Sequence, residues 1–102
     1  MKEKTQTVAN HSYFKRLQEG SAVNITFHWE GRRISVPHWD FKWIFWSVPE
    51  VEILFKTMRV TFKPPEDFEL QIFLEAFQLL RVTNLFQREQ MKLDVEVFDH
   101  HN

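Results

Sequence analysis

Two kinds of residue in this 102-residue chain could do chemistry: its five histidines with nearby carboxylates, and a cluster of arginines, lysines and tryptophans in its first half. His28, His38, His100 and His101 could hold a metal with help from Asp40 or Asp99. None of them stands at the His-x-x-x-His spacing that brings two imidazoles onto one helix face. His28 and His38 fall on neighbouring predicted strands, in a register that does not set them opposite each other. The chain has no cysteine, which excludes disulfides, thiolate zinc sites and cysteine nucleophiles. Ser12, Ser21, Ser35 and Ser47 lack the Gly-x-Ser-x-Gly elbow that exposes a nucleophile. Two glycines are too few for a loop that cradles phosphates with bare backbone. Glu50 with Glu52, or Glu66 with Asp67 and Glu69, could pair as acid and base. Solvated strand edges and a helix N-terminus, whose dipole favours negative charge, account for them better. The expectation is therefore no enzyme, no metal and no cofactor.

Binding is the stronger expectation. The stretch His38-Trp39-Asp40-Phe41-Lys42-Trp43-Ile44-Phe45-Trp46 places three of the four tryptophans within eight residues. Tryptophan, phenylalanine and arginine dominate interface hot spots because each buries much area with few torsions to freeze. Sixteen aromatic side chains in 102 residues are more than one small core readily encloses. A protein partner is the preferred reading, with Trp46, Ile44, Lys42, Arg32, Arg33, Leu70 and Leu74 as contacts; a homodimer would absorb the same surplus. The alternative is single-stranded nucleic acid, held by Arg32, Arg33, His38 and Lys42, with Trp43 as a stacking platform. Against it, the net charge is −1. The charge is uneven: residues 1–47 hold seven Lys/Arg against four Asp/Glu, and residues 48–102 hold six against ten.

These residues need elements to position them. Tyr13, Phe14 and Leu17 sit at helical spacing ahead of Gly20, which predicts a short helix over residues 8–19. Val23, Ile25, Phe27 and Trp29 alternate with polar residues, and Ile34 and Val36 resume the pattern after Glu30-Gly31. A two-residue turn pairs Trp29 with Arg32, Phe27 with Ile34 and Ile25 with Val36, and sets His28 opposite Arg33. Residues 38–46 read as a strand by aromatic enrichment. Strict alternation would face Trp39, Phe41, Trp43 and Phe45 into the core and leave Ile44 and Trp46 outside with Asp40 and Lys42. Residues 47–56 fit either a helix capped by Ser47 or a strand carrying Val51, Ile53 and Phe55. Met58, Val60 and Phe62 make a strand that ends at Pro64-Pro65. Asp67 is expected to cap a long helix through Leu80, apolar over more than half its circumference. Such a helix is either covered on two sides or packed against a partner. Leu93, Val95 and Val97 form a last strand.

The expected fold is α+β: a mainly antiparallel sheet of four to five strands, one long helix in the C-terminal half and a short N-terminal helix. Residues 1–102 make a single domain, with 1–7 and 99–102 frayed. Without a signal-like or membrane-spanning apolar run, the expected location is cytoplasmic, in a bacterium or host cell. Size and aromatic content suit a small inhibitor, adaptor or immunity-type accessory protein of a phage, virus or mobile element.

Overall fold

The computed structural model describes residues 8–47 and 49–98. The expected fraying of 1–7 and 99–102, and the tail residues Asp99, His100 and His101, lie outside them. Among the described residues the fold is two β-sheets with one short α-helix, not one sheet with two helices. The strands are β1 (Val8–Asn10), β2 (Phe14–Leu17), β3 (Asn24–Trp29), β4 (Arg32–Pro37), β5 (Phe41–Ser47), β6 (Glu50–Phe55), β7 (Met58–Phe62), β8 (Val82–Phe86) and β9 (Leu93–Val97). The helix, α1, is Leu70–Gln78. One sheet has the order β1-β2-β8-β3-β4 and the other β5-β6-β7-β9. Among the described residues, no helix is long and apolar enough to cross a membrane.

The short N-terminal helix is replaced by β1 and β2. The register of β2 against β8 slips between Lys15 and Arg16, so that Phe14 lies beside Leu85 but Arg16 beside Val82. The extra residue is Thr83 of β8, and the bulge it makes lets Val82 and Leu85, three apart, both face the core. On β2, Phe14 and Leu17, also three apart, are both buried. Their spacing imitates a helix.

The β3–β4 hairpin has the expected register throughout: Trp29 opposite Arg32, His28 opposite Arg33, Phe27 opposite Ile34 and Ile25 opposite Val36. Its turn has φ +49° at Glu30 and +73° at Gly31. Two positive φ values define the mirror-image turn whose twist matches a hairpin. Glycine takes that conformation freely, whereas glutamate is strained in it. Glu30→Asn is expected to stabilise the protein by up to about 1 kcal/mol, read as a higher urea midpoint, because asparagine tolerates the left-handed region.

Of the segment 47–56, Ser47 ends β5 and Glu50–Phe55 forms the strand β6, with Val51, Ile53 and Phe55 buried. The long capped helix does not form. Asp67 instead accepts a 2.8 Å hydrogen bond from the Tyr13 hydroxyl, which holds that phenol's pKa above its ordinary value. The helix begins after Glu69 and lasts nine residues. The chain then reverses through Leu80, at φ +58°, into β8, a strand the sequence reading omits. β8 pairs in parallel with β3 and antiparallel with β2, joining distant segments into one sheet.

The core is a continuous cluster drawn from both sheets and α1. Phe73 packs edge-on against Phe14 of β2 and Phe62 of β7, at ring separations of 5.2 and 5.9 Å. Phe77 packs on Phe41 of β5 and Phe55 of β6, at 5.0 and 6.4 Å. The wide apolar arc of the helix is thus covered from two sides.

Candidate functional site

The largest departure from the expected surface is in β5. Its pairing with β6 slips between Phe41 and Trp43, and the bulge falls at Lys42. Residues opposite one another in an antiparallel pair share a face. Ile44 lies opposite the buried Ile53 and packs against the core, while Trp43 lies opposite Leu54 and Phe45 opposite Glu52, on the outer face. The expected assignment of Trp43 and Phe45 to the core and of Ile44 to the surface is therefore reversed. Trp39 belongs to a single 3-10 turn, His38–Asp40, ahead of the strand. Trp39, Trp43, Phe45 and Trp46 are 76, 43, 56 and 47% exposed, four large aromatics within eight residues. Among the described residues, β5 also stands at the edge of its sheet, hydrogen-bonded to β6 alone. Natural edge strands are protected by charge, proline or bulges. Here the bulged Lys42 is the one charged residue in the strand.

Trp46 lies on the inner side of β5, opposite Val51. It forms one wall of a groove of about 290 Å³, whose lining includes Glu50, Pro64, Pro65, Phe68 and Leu70. Two of the expected partner contacts, Trp46 and Leu70, are thus brought together. Leu74 is half-buried against the core. Lys42 is exposed beside Trp43. Arg32 and Arg33 are exposed at the tip of the β3–β4 hairpin, in the other sheet.

No family model, curated protein or solved structure matches this chain. Its own geometry carries the functional argument.

The expected nucleic-acid set does not assemble. His38 is buried against Phe77, and its Nε2–H donates to the Val82 carbonyl at 2.9 Å. Lys42 and Trp43 stand on the β5 sheet, away from Arg32 and Arg33. Sequence reasoning missed a different basic group around the arginines. On the outer face of the five-stranded sheet, Arg33, His28 and Phe86 form one row across β4, β3 and β8; Ser35, Thr26, Asn84 and Lys15 form the next row and extend onto β2. Neither row contains a carboxylate. Asn84, His28 and Phe86 are missed because the row depends on parallel pairing between strands more than fifty residues apart, which leaves no local pattern.

The outer face of the other sheet has the opposite sign. Glu52, Asp94 and Glu96 surround Arg59, which pairs with Glu52 at 3.4 Å and with Glu96. Among the described residues, no group of three or more His, Asp or Glu is placed to share a metal ion.

Proposed function

We propose that the protein is a non-enzymatic interaction module that docks on another protein through β5, as a small inhibitor, adaptor or immunity-type factor does. The observation that carries this reading is the exposure of Trp39, Trp43, Phe45 and Trp46 on and beside an unpaired edge strand. An edge strand offers a row of backbone donors and acceptors to an extended segment of a partner. Added strands gain affinity from the main chain and specificity from side chains that alternate between faces. β5 has an apolar site for each: Trp43 and Phe45 with Leu54 on the outer face, and the Trp46 groove on the inner side. Exposed aromatics of this size contribute most when a partner desolvates them.

The test is recovery of a stoichiometric partner from the native host by tagged protein, with sedimentation equilibrium to detect a second copy of the chain as the partner. Trp43→Ala with Phe45→Ala is expected to lose the partner by at least about tenfold, the scale of one or two hot-spot side chains. The variant should still melt cooperatively near the wild-type temperature, because both side chains point away from the core. Undiminished recovery by the folded variant would remove β5 as the docking edge.

A further inference from the structure

We propose that the outer face of the five-stranded sheet binds the phosphate esters of nucleotides, free or within a single strand, using Arg33, Arg88, His28 and Lys15 gathered around Phe86. This site lies on the sheet that does not contain β5, so it stands or falls independently of the docking edge. His28, Arg33, Phe86 and Arg88 line an open cavity of about 590 Å³, whose walls also include Trp29, Glu30, Arg32 and Gln87; Lys15 stands beside it.

Arg88 and Lys15 are gathered on Phe86 before any ligand arrives. The Arg88 guanidinium lies over Phe86, 4.7 Å from the ring centre, and its Nε donates to the Ser12 carbonyl at 2.9 Å. Lys15 Nζ reaches the same ring at 5.7 Å. The His28 imidazole stacks on Phe86 with centres 4.6 Å apart. Asn84 Nδ2 donates to His28 Nε2 at 3.0 Å, and Asn84 Oδ1 accepts from the Thr83 hydroxyl at 2.8 Å. That chain of bonds sets the imidazole proton on Nδ1. Preorganised donors lose little freedom when an anion binds.

Glu30 is the one carboxylate lining the cavity, and among the described residues it forms no ion pair with these cations. None of Lys15, Arg32, Arg33 or Arg88 takes part in an ion pair; the pairs present involve His11 with Glu69 and Arg59 with Glu52 and Glu96. The crowding registers on His28, whose pKa is held below its ordinary value by burial first and then by Arg33, Lys15 and Arg88. Like charges held together in excess of their counter-charges raise the local potential, and a bound anion relieves it. Arginine matches a phosphate with two parallel N–H donors. Half-exposed Trp29, opposite Arg32 in the hairpin, adds an aromatic surface at the rim on which a base can stack. The acidic face of the other sheet repels the same ligand, so a strand of nucleic acid meets attraction on one side only.

Fluorescence anisotropy with a labelled single-stranded oligonucleotide of about 12 residues is the test. Binding is expected to weaken as salt rises, with log K falling by about 2–3 per decade of salt for three to four phosphate contacts. Arg33→Ala with Arg88→Ala should weaken binding at least about tenfold and reduce that slope by about 1.4. Lys56→Ala with Lys92→Ala removes equal charge away from this face and should leave binding unchanged. Competition by a mononucleotide or inorganic phosphate at matched phosphate concentration assigns the site to free ligands; failure to compete assigns it to the strand. The proposal is overturned if neither the oligonucleotide nor the mononucleotide binds at low salt. It is equally overturned if the two double variants lose affinity alike.

Discussion

Phe77→Ala is expected to destabilise the protein by about 3–5 kcal/mol, as the loss of a fully buried aromatic does. Small domains are stable by only about 5–15 kcal/mol in total, so this one ring carries a large share of the margin. The size of the effect follows from where the ring sits. It touches Phe41 of β5, Phe55 of β6, Phe73 of its own helix and the His38 imidazole. No neighbour can collapse into the space without opening the seam between α1 and the β5 sheet, so the cavity term is retained in full. Urea denaturation should show a lower midpoint with an unchanged slope. Trp39→Ala, at the most exposed of these aromatics, should change stability by no more than about 0.5 kcal/mol. If Phe77→Ala costs less than about 1 kcal/mol, α1 does not close the core in the way described.

The contrast between Phe77 and Trp39 also separates what could be read from the sequence from what could not. Alternation over β3 and β4 fixes the hairpin to the residue, because the turn is short and one face is buried. The strands β7 and β9 are legible for the same reason. The two larger misreadings differ in origin. In β2, Phe14 and Leu17 are both buried at a helical spacing inside a strand. At Lys42 an extra residue exchanges the faces of every residue that follows, which moves Ile44 inward and Trp43 and Phe45 outward. No glycine marks that bulge. The α1 reading overruns because Leu79 and Leu80 extend the apolar pattern, although both are exposed past the helix end.

The two candidate surfaces differ in legibility in the same way. The β5 aromatics are contiguous, so their abundance is visible even when their facing is not. The phosphate-binding group comes from β2, β3, β4 and β8 with the loop beyond it, and its central residue, Phe86, is ordinary in its local context. Composition records only its shadow, the slight basic excess of residues 1–47. The fold converts that excess into a face by placing most of the first half in one sheet and the acidic strands β6 and β9 in the other.

Acidification is expected to weaken the fold through His38, and this effect should disappear when that residue is replaced. His38 is buried, with a pKa held down mainly by burial and pulled up to a lesser degree by the Val82 carbonyl. Its Nε2–H is already engaged with Val82, and its Nδ1 is buried with no hydrogen-bond partner among the described residues. A second proton would therefore create a charged, unpaired N–H in the core, whereas the unfolded chain takes it up near pH 6.5. The unfolded state binds more protons in that window, so stability is full above about pH 6.5 and falls as pH drops towards the folded value, levelling off below it. One such proton gives a slope of at most about 1.4 kcal/mol per pH unit. His28, also held below its ordinary pKa, adds to the same trend with the same sign. Urea midpoints measured from about pH 7.5 to 5 test this, since few carboxylates titrate there. His38→Gln keeps a side-chain amide able to donate to Val82 and should flatten the profile, while His28→Gln should remove a separate part of it. A slope in this window that is unchanged in His38→Gln would show that protonation of this imidazole is not what limits the fold at acid pH.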